Sequence, residues 1–152
     1  MADIVDKQTR SRMMSGIRGK DTKPEMVLRR ALHARGFRYR LHEKDIPGRP
    51  DLTLAKHRAV IFVHGCFWHR HEGCRYATTP ASRPMFWAEK FAANVRRDHA
   101  ALDALVADGW RVATIWECAL RKPLSVEQTV VAIEKWLLSD SQVLEIGNIA
   151  PR

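Results

Sequence analysis

The sequence predicts an α/β domain built on a mixed sheet with helices on both faces, and three observations support this. Stretches with the 3.6-residue period of amphipathic helices alternate with short apolar stretches typical of strands. Their order is helix, three strands, helix, strand, helix, and a mixed sheet covered by helices buries such elements. The chain has 152 residues, 45% of them hydrophobic, which is enough for one domain with its own core.

The first helix is predicted over residues 23–35. Thr22 and Glu25 have the T-x-x-E spacing of a capping box, and apolar residues follow at helical spacing. Gly36 ends the helix. Residues 37–41 then alternate between apolar and polar side chains, as in a half-buried strand.

Two further strands are predicted at 51–55 and 59–63, the second a continuous apolar run typical of a buried strand. Residues 64–84 break into Gly, Pro, Cys and His, which predicts a long loop that a metal could organise. Helical spacing then predicts a long helix that ends before Gly109. A strand at 112–116 follows.

The last helix is predicted to open at a second capping box, formed by Ser125 and Gln128, and to run through Leu137. Residues 140–152 are predicted to be a loosely held tail. The expected organisation is therefore a basic arm at 1–20, one domain at 21–139 and this tail.

The net charge of +9 at pH 7 reflects 26 Lys and Arg against 17 Asp and Glu, which makes a polyanion the first partner to consider. Most of the excess, net +7, lies in residues 1–50. No stretch approaches the roughly 18 apolar residues of a membrane span, and the N-terminus lacks a signal-peptide core. We therefore expect a cytoplasmic protein with no membrane partner. Three cysteines cannot all pair, which favours metal-bound or free thiols over a disulfide framework.

The loop carries a possible zinc site. Cys66, His71 and Cys74 have C-x4-H-x2-C spacing, and Cys118 completes a tetrahedral set of three thiolates and one imidazole. A closed set of four protein ligands is structural, because it leaves no position for water. The alternative is that the cysteines are small buried hydrophobic residues and the histidine lies at the surface.

His64 and His69 are left over at the end of the buried strand, where an imidazole can act as an acid or base near neutral pH. They could instead cap the strand, or join His71 in a catalytic zinc site that leaves the cysteines unused. Asp51 heads a neighbouring strand and could hold magnesium against a phosphate, although a Pro-Asp turn also explains it. Glu25 has the same ambiguity, because capping alone accounts for it.

Seven motifs extend over nearly the whole chain: GRPD at 48–51, VIFVHGCFWH at 60–69, HEGC at 71–74, FW at 86–87, NVRRD at 94–98, GWRV at 109–112 and WECAL at 116–120. Together they resemble the very short patch repair (Vsr) DNA mismatch endonucleases, and the string GCFWH is the most specific part. The resemblance implies a restriction-endonuclease-like fold with a structural zinc. It also implies a magnesium-dependent enzyme that nicks DNA 5′ to the thymine of a T·G mismatch.

The resemblance implies a role for each matching residue. Asp51 matches the carboxylate that bridges magnesium, and the backbone carbonyl of Val63 matches another magnesium ligand, although the family often has threonine there. His69 matches the histidine that handles the attacking water, and Asp98 matches the acid that orients it. Groups that contact metal-bound water or phosphate are matched by His64 and Glu25.

DNA contacts follow from the same resemblance. Phe67, Trp68 and Trp87 match a wedge that enters the duplex beside the mismatch, where a weakly stacked pair opens most easily. The alternative is that these aromatics only pack on the zinc loop. An N-terminal arm on the minor-groove side is expected from four residues, namely Arg10, Arg12, Met14 and Arg18.

The implied substrate arises by deamination of 5-methylcytosine, so a DNA cytosine methyltransferase is an expected functional partner, with mismatch-repair proteins as further ones. The chain is expected to act as a monomer. Two other functions stay open from the residues alone: a non-catalytic, zinc-stabilised DNA-binding module, and a zinc hydrolase. A carboxylate with two free histidines favours the nuclease, because binding DNA needs no acid–base set.

Overall fold

The computed structural model describes residues 20–147. Its helices are α1 (Lys23–Ala34), α2 (Pro84–Ala107) and α3 (Pro123–Leu137), and its strands are β1 (Arg40–Leu41), β2 (Leu52–Leu54), β3 (Ala59–His64), β4 (Arg111–Trp116) and β5 (Val143–Ile146). Two short 3₁₀ helices follow β2 and β4, at Ala55–His57 and Glu117–Leu120. The predicted arm residues Arg10, Arg12, Met14 and Arg18 lie outside the described residues.

The five strands form one mixed sheet in the order β1-β2-β3-β4-β5. Strand β2 is antiparallel to both β1 and β3, whereas β3, β4 and β5 run parallel to one another. The chain crosses through α2 between β3 and β4, and through α3 between β4 and β5, as parallel neighbours require. The mixed α/β architecture predicted from the sequence is confirmed.

Two cores lie on opposite faces of this sheet because side chains alternate along each strand. On one face, Ile61 and Ile115 pack with α1 and α3. On the other face, Val60 and Val112 pack with Leu105 of α2. Both faces are therefore covered by helices, which is why β3 and β4 are apolar almost throughout.

Both predicted capping boxes are wrong. Thr22 precedes α1, but its side chain makes no capping hydrogen bond, and Glu25 accepts hydrogen bonds from other groups. Helix α3 begins at Pro123, ahead of Ser125, and Lys122 precedes it without a side-chain cap. Proline fits this first turn because the missing N–H needs no partner there.

Two predicted strand boundaries also differ from the structure. The predicted alternation is seen from Phe37 to Arg40, but Leu41 is exposed and only Arg40–Leu41 pair as a strand. The tail predicted from residue 140 is wrong for Val143–Ile146, which pair in parallel with β4 as an edge strand. An edge strand has one paired side and partial burial, so its sequence pattern is weak.

The turn before Asp51 fits closely against the sheet. Gly48 has a φ of +77°, and a Cβ there would lie 2.7 Å from the Cβ of Ala101 on α2 and 3.0 Å from the ring of Phe62. Only glycine meets both conditions, a left-handed backbone and no room for a side chain. The GRPD motif therefore fixes how the chain enters β2.

Within residues 20–147, no helix has the length and apolar character needed to cross a membrane.

Candidate active site and metal centre

Asp51 lies at the start of β2, and the antiparallel pairing with β3 brings it beside Val63. The Val63 amide donates a hydrogen bond to Asp51 Oδ2 at 2.7 Å. Burial, reinforced by the nearby Glu25 carboxylate, raises the pKa of Asp51 to about 7, although the Val63 bond favours the ionised form. The Asp51 side chain thus contacts the neighbouring strand β3 and lies near Glu25. A role in the turn alone would require neither contact.

Glu25 is buried in the first turn of α1, with only 1% of its surface exposed. Arg29 donates to Glu25 Oε2 at 2.7 Å and to Asp21 Oδ1 at 2.6 Å. The Asp21 amide and the ring of His42 contact Glu25 Oε1 at 3.3 and 3.0 Å. Asp21, Glu25 and His42 have the atom spacing of a metal site, but the Arg29 guanidinium already supplies a positive charge to both acids.

The histidines form a second group with Asp98, which α2 carries to the end of β3. Asp98 Oδ2 lies 2.7 Å from His69 Nδ1. The rings of His64 and His69 stack with centroids 3.9 Å apart and planes 5° apart. Burial lowers the pKa of His64 to about 3, and the neighbouring His69 also lowers it. His64 is therefore neutral near pH 7, while His69 has an acid to orient it.

The four predicted zinc ligands meet in space. Ligand atoms of Cys66, His71, Cys74 and Cys118 all lie within 4.8 Å of one another. His71 Nδ1 is the atom that faces the sulfurs, 3.5 Å from Cys118 Sγ and 3.7 Å from Cys66 Sγ. This group could hold a metal ion. His64 and His69 group with Asp98, so the alternative set of His64, His69 and His71 does not form.

The surroundings of this cluster suit a cation. Burial raises the pKa of the Cys66 thiol, and the neighbouring Cys118 and Cys74 sulfurs raise it further, so bare thiolates are unfavourable there. The His71 ring stacks on Trp116 with centroids 4.3 Å apart. Glu117 accepts a hydrogen bond from the Cys66 amide at 3.0 Å, which ties the loop to the 3₁₀ helix after β4. Soft sulfur and imidazole donors are the set that zinc prefers.

All the predicted catalytic residues line one open cleft of about 2000 Å³. They are Glu25, Asp51, Val63, His64, His69 and Asp98. The predicted wedge residues Phe67, Trp68 and Trp87 line the same cleft. The four residues of the cysteine cluster are absent from its lining, so the two groups face different parts of the described domain.

The aromatic residues pack together where the loop meets α2. Phe67 makes edge contacts with Trp68, Trp87 and Phe91, with centroids 4.9 to 5.8 Å apart. Trp68 is 8% exposed, whereas Phe86, next along the cluster, is 43% exposed. Basic groups lie beside them, because Lys90 Nζ is 5.9 Å from the Trp68 ring and the Arg83 guanidinium is 4.4 Å from the Phe86 ring.

Sequence reasoning missed Arg29 and His42. The spacing of Glu25 and Arg29, four residues apart on a helix, is a signal that could have predicted their ion pair. The contact between Glu25 and His42 spans 17 residues and depends on how α1 packs against β1, so no local pattern shows it.

One cleft is lined by carboxylates that could hold a metal ion, by a histidine–aspartate pair, and by basic and aromatic side chains, which supplies groups for metal-assisted hydrolysis. The family model of the DNA mismatch endonuclease Vsr matches residues 2–75. The chain is 41% identical to the DNA mismatch endonuclease Vsr of Escherichia coli K12 over 148 residues, which is 96% of this chain and 94% of that protein.

Two nicking enzymes are also similar. The type II nicking enzyme V.XorIIP of Xanthomonas oryzae pv. oryzae is 48% identical over 120 residues, covering 79% of this chain and 88% of that protein. The type II nicking enzyme V.NmeAIP of Neisseria meningitidis is 41% identical over 121 residues, covering 80% and 86%. The chain belongs to the Vsr family of DNA mismatch endonucleases, so it is a DNA endonuclease of mismatch repair.

Proposed function

We propose that this protein nicks double-stranded DNA on the 5′ side of the thymine of a T·G mismatch, by magnesium-dependent hydrolysis of one phosphodiester bond. One observation carries the chemistry: the hydrogen-bonded pair of His69 and Asp98, 2.7 Å apart, shares a cleft with Asp51. Membership of the Vsr family supports a mismatch as the substrate.

His69 is the proposed base. With neutral His69 donating its Nδ1 hydrogen to Asp98, the lone pair lies on Nε2. Nε2 then takes a proton from the water that attacks phosphorus, and the carboxylate of Asp98 stabilises the imidazolium that forms. The new bond joins the water oxygen to phosphorus, while the bond from phosphorus to the leaving deoxyribose oxygen breaks and that oxygen takes a proton from solvent.

Asp51 and the backbone carbonyl of Val63 are the proposed magnesium ligands, with Glu25 and His64 contacting water or phosphate beside them. Bound magnesium supplies charge stabilisation at the scissile phosphate. Carboxylate and carbonyl oxygens are the ligands that magnesium prefers. The raised pKa of Asp51 fits this assignment, because a cation at the site offsets the cost of a buried charge next to Glu25.

We propose that the cysteine cluster holds a structural zinc. Three sulfurs and one imidazole nitrogen would supply all four ligands of a tetrahedral zinc, which would leave no position for a reacting water. The loop from Gly65 to Arg83 contains no regular helix or strand, so a metal would supply order that backbone pairing does not. The cluster also lies outside the lining of the catalytic cleft, which argues against a zinc hydrolase.

Recognition of the mismatch is assigned to the aromatic cluster and the basic arm. Phe67, Trp68 and Trp87 form the proposed wedge, and Arg10, Arg12 and Met14 in the arm are proposed to contact the other side of the duplex. The proposed setting is the cytoplasm, at the nucleoid, where the protein acts as a monomer after a DNA cytosine methyltransferase and alongside mismatch-repair proteins.

A nicking assay tests substrate and strand together. Two duplexes differ only by T·G or C·G at one position, and each strand carries its own end label. We expect one product, from the strand with the thymine, only with T·G and only when magnesium is present. Equal cleavage of both duplexes would overturn the mismatch specificity. Binding without cleavage under any divalent cation would support the non-catalytic DNA-binding module.

Elemental analysis tests the two metals separately. We expect zinc to remain bound through dialysis, whereas nicking should need added magnesium. Activity of the zinc-loaded protein without magnesium would overturn the proposed division of roles.

A further inference from the structure

His42 lies directly after β1, opposite Asp51 on the neighbouring strand. The register of β1 with β2 pairs Leu41 with Leu52, so the next pair along is His42 with Asp51. The His42 amide donates to the Asp51 carbonyl oxygen at 3.1 Å. The backbone of His42 is left-handed, with a φ of +49°, which is uncommon for residues other than glycine.

The ring of His42 turns toward the buried Glu25 and the half-buried Asp51. Its Nε2 lies 3.0 Å from Glu25 Oε1 and 2.9 Å from Glu25 Oε2. The same nitrogen is 4.0 Å from Asp51 Oδ1. Because an ionised carboxylate only accepts hydrogen bonds, Nε2 carries the hydrogen in this contact.

The hydrogen-bond partners of Glu25 come from two parts of the fold. Arg29 and Asp21 belong to α1 and its approach, so they hold Glu25 within its own helix. His42 belongs to the sheet and links that carboxylate to the strand pair that carries Asp51. This hydrogen bond joins helix α1 directly to the β1–β2 pair, so it can fix the position of Glu25 relative to Asp51.

We propose that His42 is a positioning residue that holds the Glu25 carboxylate beside Asp51 through its Nε2–H. The inference rests on the proposed function, because it assigns Glu25 and Asp51 to the reaction centre. Positioning groups of this kind typically change activity by about 10- to 100-fold when removed. His42 has no place in the assignment of base, metal ligand or wedge, so its effect should fall on the rate rather than on DNA affinity.

Two amide side chains separate the possible roles. Glutamine places its Nε2 close to where histidine has Nε2, whereas asparagine reaches only as far as Nδ1. Asparagine also adopts left-handed backbone conformations more readily than glutamine, so backbone strain favours His42→Asn over His42→Gln. A positioning role through Nε2 predicts the opposite order of activity.

The experiment compares wild type, His42→Asn and His42→Gln on T·G duplex, using single-turnover nicking rates, duplex Kd measured in EDTA, and thermal melting. We expect His42→Asn to nick about 10-fold or more slowly with Kd unchanged, and His42→Gln to recover most of the wild-type rate. All rates are taken below the lowest melting temperature of the three proteins.

Three results would overturn the proposal: equal rates for His42→Asn and wild type, equal losses in both variants, or a rate loss that follows the loss of melting temperature. Failure of the wild type to nick T·G duplex is a different result. It would overturn the proposed function, and the positioning role with it.

Discussion

The cysteine cluster and the catalytic cleft both contain side chains that could bind a cation, but their surroundings differ. The cluster is closed, because its sulfurs and imidazole lie within 4.8 Å of one another and three of the four residues are buried. The cleft is open. It places Asp51 near Glu25, and ionising both acids there is unfavourable, as the raised pKa of Asp51 indicates. A closed set serves the fold, whereas an open and strained set can serve a reaction.

This difference predicts opposite consequences for substitutions in the two regions. A change in the cluster should remove stability first, and activity only as a result. A change in the cleft should remove activity while leaving the fold intact. A change at a wedge aromatic should alter the choice between duplexes.

Cys118→Ser should have the largest effect. Serine is a poor zinc ligand, so we expect loss of zinc and a fall in the free energy of unfolding on the order of several kcal/mol. The measurements are elemental analysis and thermal denaturation.

Ala119→Ser is the matched control for Cys118→Ser, since it adds a hydroxyl at the next buried position and keeps the thiol. It should retain zinc. A Cys118→Ser protein that kept zinc and melted like the wild type would show that Cys118 is not a ligand.

Asp51→Asn should reduce the nicking rate by at least about 100-fold, because the neutral amide binds magnesium poorly and the role of Asp51 lies in the transition state. The amide oxygen can still accept the Val63 hydrogen bond, and a buried charge next to Glu25 is removed. We therefore expect melting in EDTA at or above the wild-type temperature, and unchanged affinity for T·G duplex.

Single-turnover nicking, duplex binding and melting of the same protein samples check this prediction. If Asp51→Asn nicked at the wild-type rate, the magnesium assignment would be lost and Asp51 would return to a role in the turn.

Trp68→Ala should have the smallest effect, narrowing the preference for T·G over C·G duplex by about 1 to 3 kcal/mol, the usual contribution of an aromatic stacked on a base. Trp68 is 8% exposed, so intercalation requires it to leave the cluster. Binding titrations on both duplexes measure the preference.

Phe91→Ala is the matched control for Trp68→Ala, because Phe91 is also 8% exposed and belongs to the same aromatic cluster, without being a wedge residue. It should destabilise the protein without changing the preference. Equal losses on both duplexes for Trp68→Ala would favour the alternative that Trp68 packs on the loop.

The sequence by itself determined the main elements of the fold. Helical periodicity located α1, α2 and α3, and the apolar run at 59–63 located the central strand β3. These signals are strong because each element buries a continuous face, so a regular spacing of apolar residues appears within a short stretch of sequence. The capping boxes and β5 were predicted wrongly, because their outcome depends on side-chain competition and on partial burial at an edge.

The sequence also determined which residue types were available for chemistry. Cysteine and histidine spacing grouped Cys66, His71 and Cys74 correctly, and Cys118 joined them as the remaining thiol. His64 and His69 were recognised as left over from that set. Residue type and spacing suffice to predict this grouping because the chain has only three cysteines and their chemistry is distinctive.

Only the tertiary structure decided which of these groups meet. The pairing of His69 with Asp98 requires α2 to lie along the end of β3, and the contact of Glu25 with His42 requires α1 to pack beside the β1–β2 pair. Such contacts join residues 17 to 29 positions apart, and nothing in the local sequence encodes their distance. They are set by how the buried faces of the helices fit the sheet, which is a property of the whole packed core.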